Sequence, residues 1–344
     1  GASPTFTEAI TIDHPDDRAD VDFGTSVANL GDLDGDGFED VIVGAPGMGM
    51  GGSAYLLYGD ATTPLTRTER IEHEAPQEDE FFGASVAGVG DLDGDGFVDA
   101  AVGAWRRTVP GGMSAGAMCV IRGGPGGVSL PPGACVDHPE PQPLALFGTV
   151  EGLGDVNGDD LADLGVAASQ QNVDGTNDGA VFVYYGSAGG SLIETSAPMR
   201  LDNPDAADDD FGNFGADLDT LGDLTGDGLA DVGVGAPGQN EFFVYEGALS
   251  GLSAAPIQRV TAPPGVSAGA AYGVPLGLIG DVQGIGRNFV GTSAVRASVE
   301  AMGDGAAYVL ATPRGSGPID DDPVVPLENP DMTNFATFGR GASF

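Results

Sequence analysis

An aromatic–glycine pair returns at Phe23-Gly24, Phe82-Gly83, Phe147-Gly148, Phe211-Gly212, Tyr272-Gly273 and Phe338-Gly339. A unit of ~60–65 residues is therefore repeated along the chain, and repetition at a fixed period constrains the fold more than any local pattern. Each of the first five pairs opens the same series of parts. In the first unit, residues 23–30 alternate as a strand, A, and an aspartate-rich loop follows. Residues 41–43 form a second strand, B, apolar on both faces as befits a middle strand. Pro46 ends it, because proline cannot continue a ladder. Residues 53–58 give strand C and residues 67–73 give strand D. Strand C returns at 115–122, 180–185, 242–245 and 306–310. The end of strand D returns at Ile12-Asp13-His14-Pro15, Ile71-Glu72-His73-Glu74, Val136-Asp137-His138-Pro139, Leu201-Asp202-Asn203-Pro204, Val260-Thr261-Ala262-Pro263 and Leu327-Glu328-Asn329-Pro330.

No helical period of any length interrupts this order. Four strands per unit, repeated, predict an all-β chain folded as a β-propeller of four-stranded blades. The repeats run over approximately 23–81, 82–146, 147–210, 211–271 and 272–337, in a single domain spanning 1–344. Residues 1–22 and 338–344 then supply partial strands of a further blade, the outer strand D and the inner strand A. This phase allows a ring of six or seven blades.

The loop between strands A and B carries the chemistry. Residues 31–46 read GDLDGDGFEDVIVGAP, and 90–104 nearly repeat them; weaker copies lie at 154–168, 222–237 and 280–294. Aspartates alternate with spacers, and glycines permit backbone angles that a side chain would forbid. Four uncompensated carboxylates within a few ångströms would repel strongly. A hard cation that takes six to eight oxygens removes that repulsion, which points to Ca2+. Mg2+ fits less well because it gives up its water reluctantly.

The order Phe-Gly, D-x-D-G-D-G-x-x-D, strand, Gly-Ala-Pro resembles the FG-GAP repeat of integrin α-subunit propellers. Related repeats occur in many bacterial surface and secreted proteins. The clearest copy is 23–46, FGTSVANLGDLDGDGFEDVIVGAP, and the resemblance extends over five full repeats. It implies a propeller with Ca2+ held in the A–B loops of one face. By motif position, the first site would use Asp32, Asp34, Asp36, the Phe38 carbonyl and a bidentate Asp40. The second would use Asp91, Asp93, Asp95, the Phe97 carbonyl and Asp99. The third would use Asp155, Asn157, Asp159, the Leu161 carbonyl and Asp163. The fourth would use Asp223, Thr225, Asp227, the Leu229 carbonyl and Asp231. Asn157 and Thr225 keep an oxygen but lose a charge, so the last two sites are expected to be weaker. The fifth loop reads Asp281, Gln283, Ile285 and Phe289, and one carboxylate does not hold Ca2+. Gly103-Ala104-Trp105 and Ala167-Ala168-Ser169 depart from Gly-Ala-Pro, and no large inserted domain of the integrin kind lies between repeats.

Composition narrows the partners. The net charge is −40, and all 12 basic residues are arginine. Nucleic acid is disfavoured, since phosphate binding needs a basic face. The calcium-type loops use only part of the 52 acidic residues, and the remainder reads as solubility in a saline or crowded exterior. No apolar run approaches the ~18–20 residues of a membrane span. Cys119 and Cys135 fall in strands C and D of the second blade, where a disulfide is expected, implying an oxidising compartment; two buried thiols are the alternative. His14, His73 and His138 share one repeat position with Asn203 and Asn329, which reads as a turn cap rather than a catalytic or zinc site. Trp105, Arg106 and Arg107 interrupt the repeat in a B–C loop, on the face opposite the aspartate loops. Trp and Arg are favoured anchors for a ligand; the plainer reading packs Trp105 on the blade and pairs the arginines with Glu78-Asp79-Glu80.

No nucleophile elbow, phosphate loop or histidine-centred constellation is present. The expected function is a non-enzymatic extracellular binding or adhesion module with structural Ca2+ and a protein or glycan ligand. The alternatives are a propeller domain of a secreted hydrolase or lyase, or a purely structural repeat.

Overall fold

A computed structural model describes residues 11–16, 22–47, 51–61, 65–128, 134–173, 177–189, 193, 198–205, 211–267, 269–280, 288–294, 306–311 and 319–328. The first sheet holds β1 (Val27–Gly31), β2 (Asp40–Ala45), β3 (Ser53–Tyr58) and β4 (Arg67–Ile71). The second holds β5 (Phe82–Gly90), β6 (Asp99–Ala104), β7 (Ala117–Ile121) and β8 (Ala134–Asp137). The third holds β9 (Phe147–Gly154), β10 (Asp163–Ala168), β11 (Ala180–Tyr184) and β12 (Met199–Asp202). The fourth holds β13 (Leu218–Gly222), β14 (Asp231–Ala236), β15 (Glu241–Tyr245) and β16 (Gln258–Thr261). The fifth holds β17 (Tyr272–Leu278), β18 (Phe289–Ala294), β19 (Ala306–Ala311) and β20 (Asp320–Glu328). Each is a four-stranded antiparallel meander in A–B–C–D order, the blade of a β-propeller. The described residues contain no helix.

Successive sheets pack face to face in chain order, and one apolar cluster fills each gap. This explains strand B. In β10, Leu164 and Val166 face the core shared with the second blade, while Ala167 faces the core shared with the fourth. Both faces of a middle blade are therefore interior, so its central strands must be apolar on both sides. Packing of comparable extent does not join the fifth sheet to the first among the described residues. Of the terminal half-strands expected within 1–22 and 338–344, residues 1–10, 17–21 and 338–344 lie outside the described residues, and residues 11–16 and 22 form no strand. Ile12 instead packs on the outer face of the first blade beside Phe23, Tyr55 and Leu57.

The aromatic of each repeat anchors the start of strand A. Phe82, Phe147 and Tyr272 are fully buried, each contributing about 2–3 kcal/mol. The fourth repeat corrects the expected register. Phe211 is exposed, and Phe214 takes the buried place against Phe243 and Tyr245. The amide of Gly215 donates to the Gly235 carbonyl, as that of Gly24 does to Gly44. The functional pair is thus Phe214-Gly215 in the sequence FGNFG, because only it leaves the right length of strand before the loop.

The expected disulfide is present. Cys119 and Cys135 stand directly opposite across β7 and β8 and are bonded, 16 residues apart, closing a loop that contributes about 3 kcal/mol. His73 lies beside the pair, but a disulfide offers no thiolate to a metal.

Candidate metal centres in the A–B loops

Strand A ends in a bulge that aims each loop. Gly31, Gly90, Gly154 and Gly222 pair with Asp40, Asp99, Asp163 and Asp231, with a register shift at each. These glycines have φ between 66° and 74°, the left-handed region, where a side chain costs about 1 kcal/mol or more. The paired aspartate closes the loop from below.

That closing aspartate is fully buried in all four copies. Asp40 accepts the Leu33 amide at 2.9 Å on one oxygen and the Gly59 amide at 2.8 Å on the other. Asp99 does the same with Leu92 and Gly123, Asp163 with Val156 and Gly186, and Asp231 with Leu224, Thr225 and Gly247. The loop supplies one donor, or two to Asp231, and a glycine one or two residues past strand C supplies the other. The carboxylate therefore ties the A–B turn to the far end of strand C, and in Asp40, Asp99 and Asp163 each oxygen keeps a second lone pair.

The first aspartate of the loop folds the turn. Asp32 accepts the amides of Gly35 and Asp36 on one oxygen and of Gly37 on the other, at 2.8–3.0 Å. Asp91, Asp155 and Asp223 repeat this pattern. The fifth aspartate-loop position then accepts the amide two residues on: Asp36 from Phe38, Asp95 from Phe97, Asp159 from Leu161 and Asp227 from Leu229. The local sequence thus converges its own oxygens without help from the rest of the fold. In the first loop, oxygens of Asp32, Asp34 and Asp36 lie within 4.8 Å of one another, and in the second those of Asp91, Asp93 and Asp99 do.

Do these residues fit a calcium ion? Three observations say so. The donor set is all oxygen. Burial pushes the carboxyls of Asp40, Asp93, Asp99, Asp163 and Asp231 above their ordinary range, with neighbouring loop carboxylates adding to it, and Asp99 and Asp163 reach about 7. A cation placed among them would reverse that push. In the fourth loop, the hydroxyl oxygen of Thr225 is buried without a hydrogen-bond partner. A buried orphan oxygen at a ligand position is what a metal would satisfy.

The loops also hold neighbouring blades together. The Leu33 carbonyl accepts the Gly124 amide of the next blade, Leu92 accepts Ser187, and Val156 accepts Ala248. A β-carbon at Gly35 would lie 2.6 Å from the Phe97 ring, so the side chain at the carbonyl position of one loop packs on the glycine of the loop before it. In the fifth blade the bulge persists through Gly280 and Phe289, and Phe289 is buried at the closing position. Asp281, Gln283 and Ile285 lie outside the described residues.

Two arginines that the repeat pattern did not single out reach the loops. Arg67 pairs with Asp34 at 2.6 Å, and Arg122 pairs with Asp93 and lies 3.6 Å from Asp95. Both Asp34 and Asp93 are buried.

The histidines sit at turns. His14, His73 and His138 each accept, on Nδ1, the amide two residues on, and Asn203 accepts that of Asp205 with its side-chain oxygen. In His138 the proton is then on Nε2, 3.0 Å from the Gln171 side-chain oxygen. Each ring packs on the aromatic that opens the next repeat, Phe23, Phe82 or Phe147. Burial lowers His73 and His138 from 6.5 to about 4. Because the folded value is depressed, the stability contributed above pH 6.5 is lost as pH falls through about 4. His138→Asn, which copies position 203, should flatten the fall in melting temperature between pH 7 and 4.5, sparing up to about 2–3 kcal/mol. Parallel pH curves for the two proteins would count against this cap.

On the opposite face, the expected ligand triplet is only partly available. Arg107 is buried and pairs with the fully buried Glu80, also donating to the Ala75 carbonyl at 3.0 Å. Its charge is consumed in joining the D–A connection to the B–C loop, which removes it from a ligand face. Arg106 remains exposed, with its guanidinium 5.2 Å from the Phe81 ring, and Trp105 is half-buried. Met113 and Leu144, which the repeat pattern did not mark, are 67% and 54% exposed and adjoin through the Leu144 amide and the Met113 carbonyl.

Residues 23–57 match the FG-GAP repeat family. The chain is 39% identical to integrin alpha-5 of Xenopus laevis over 88 residues, 24% of this chain and 8% of that protein. It is 30% identical to integrin alpha-PS5 of Drosophila melanogaster over 196 residues, 56% of this chain and 18% of that protein. It is 43% identical to integrin alpha pat-2 of Caenorhabditis elegans over 90 residues, 24% of this chain and 7% of that protein. The chain thus spans less than a fifth of the length of these relatives.

Proposed function

We propose that this integrin-like FG-GAP repeat protein is a calcium-stapled binding module, one propeller domain acting outside the cell through the face opposite its A–B loops. The observation that carries the calcium reading is the fourfold recurrence of one oxygen-lined loop, down to the orphan hydroxyl of Thr225. The ligands would be Asp32, Asp34, Asp36, Asp40 and the Phe38 carbonyl in the first site, with the corresponding residues in the next three. The ion's role is structural: it neutralises the loop and fastens strand C and the next blade to it. An oxidising exterior is supported by the Cys119–Cys135 disulfide.

The binding reading rests on Met113 and Leu144, two large exposed apolar residues joined by a backbone hydrogen bond, with Arg106 exposed in the same B–C loop as Met113. A protein ligand suits this pairing of apolar and guanidinium groups better than a glycan does. A surface-adhesion assay on immobilised extracellular-matrix proteins in calcium buffer tests it. Met113→Asp with Leu144→Asp should abolish retention, while Leu249→Asp, on the loop side, should not. Equal retention by both variants, or none by the wild type, would contradict the reading.

A second reading, the propeller domain of a secreted hydrolase or lyase, is favoured by one observation. Glu151 in β9 and Asp219 in β13 lie on adjacent inner strands, with Asp217 just before β13. Burial, reinforced by their mutual repulsion, pushes Glu151 well up and Asp219 to about 7. Turnover of glycoside or ester substrates that Glu151→Gln abolishes would establish it; no turnover by the wild type would remove it.

A further inference from the structure

Ligand count alone predicts two strong loops and two weak ones. The arginines change that count. In the first loop, Arg67 places a guanidinium on Asp34 at 2.6 Å and donates its other amino group to the Gly126 carbonyl. In the second, Arg122 pairs with Asp93 and stands 3.6 Å from Asp95. Asp34 and Asp93 occupy the same loop position, and both are buried. That position is Asn157 in the third loop and Thr225 in the fourth, both uncharged. Among the described residues no arginine pairs with either of those loops: Arg200 pairs with Glu140 and Asp202, and Arg259 with Asp205 and Glu241.

The two guanidiniums arrive by different routes. Arg122 follows β7 directly and precedes Gly123, whose amide binds Asp99. The same place in the first blade, before Gly59, is held by Tyr58, and Arg67 lies over its ring at 3.7 Å. Tyr58 thus supports an arginine from the neighbouring strand where the second blade supplies its own. Arrival of one charge at one position from two unrelated places marks a requirement of the loop.

We propose that Arg67 and Arg122 set the cation affinity of the first two loops, cancelling the charge of their extra ligand carboxylate so that the four ligand sets, which exclude Glu39 and Asp160, present the same net charge to the ion. The proposal rests on the calcium reading of the loops. Each arginine leaves one carboxylate oxygen for the ion and repels the ion across it. The four sites are therefore matched and fill over one range of calcium concentration, so the blades tighten together.

Competition of the full-length chain against a chromophoric calcium chelator gives the stepwise constants. Once statistical factors are removed, the wild type is expected to show four constants within about tenfold of one another. Arg67→Met and Arg122→Met should each make one of them tighter by about tenfold, as expected for removing a unit charge a few ångströms from a divalent ion. Arg122→Lys should restore the wild-type value. Asn157→Asp, which adds a carboxylate where no arginine answers it and gives up only the exposed hydrogen bond from its side-chain amide to Asp159, should tighten a third-loop constant by a similar factor; it keeps the test open if an arginine variant does not fold. Two tight and two weak wild-type constants, or arginine variants that are unchanged or weaker, would overturn the proposal. Absence of calcium binding by the wild type would instead remove the calcium reading itself, a failure visible before any variant is made.

Discussion

Chelation of calcium will lower the melting temperature of this protein by roughly 10 °C or more. An ion at about a thousand times its dissociation constant stabilises the folded state by ~4 kcal/mol, and four such sites would add their effects. Removing the ions leaves four aspartates crowded in each of the first two loops. It also leaves the buried closing carboxylates, of which Asp99 and Asp163 are already pushed to about 7. The loss does not stay local. The first three loops accept amides of the next blade on their carbonyls, Leu33 from Gly124, Leu92 from Ser187 and Val156 from Ala248, so a loosened loop loosens an interface. Scanning calorimetry in excess EDTA against millimolar calcium measures this directly. Superimposable thermograms would show that the loops are stable without metal and that calcium has no structural role.

Replacing the closing aspartate should cost far more than replacing an exposed ligand in the same loop. Asp163 is fully buried and accepts the Val156 and Gly186 amides on its two oxygens, at 2.9 and 3.0 Å. In Asp163→Asn one of those amides would face an NH2 group, so a buried donor loses its acceptor and two donors oppose each other. We expect a loss of about 3–5 kcal/mol in EDTA, and a larger one in calcium, where a ligand is lost as well. Asp159 is exposed and accepts only the Leu161 amide and the Asn157 side chain. Asp159→Asn should be nearly neutral in EDTA and destabilising only in calcium, by about 1–2 kcal/mol. Urea denaturation of both variants under both conditions separates the two roles. Equal costs for the two positions would mean that the closing aspartate is not the tie between strands A, B and C that its hydrogen bonds describe.

Much of this was legible in the sequence because a propeller repeats its reasons. Strand B reads as apolar on both faces because a middle blade has a core on each side, and the alternation of Leu164 and Val166 with Ala167 across two clusters is that pattern made physical. The turn role of the histidines was legible because asparagine substitutes at the same position, and both residues can accept the same amide. What the sequence concealed depended on side chains arriving from outside the repeat unit. Arg67 reaches Asp34 over the ring of Tyr58, 33 residues from its partner in sequence, and no local pattern marks that approach. Phe211 was misread as the fourth anchor because FGNFG offers two equivalent pairs, and only the length of strand before Gly222 decides between them. Arg107 reads in sequence either as a ligand anchor or as a partner of Glu78-Asp79-Glu80, and its pairing with Glu80 inside the blade junction decides between the two.

If the four A–B loops each hold one calcium ion, anomalous diffraction from crystals grown in calcium will show four peaks, each about 2.3–2.6 Å from oxygens of Asp32, Asp91, Asp155 or Asp223 and of their loop partners. Loops that contain no anomalous peak in calcium-grown crystals, with Arg67 and Arg122 as the only cations beside them, would contradict the calcium reading.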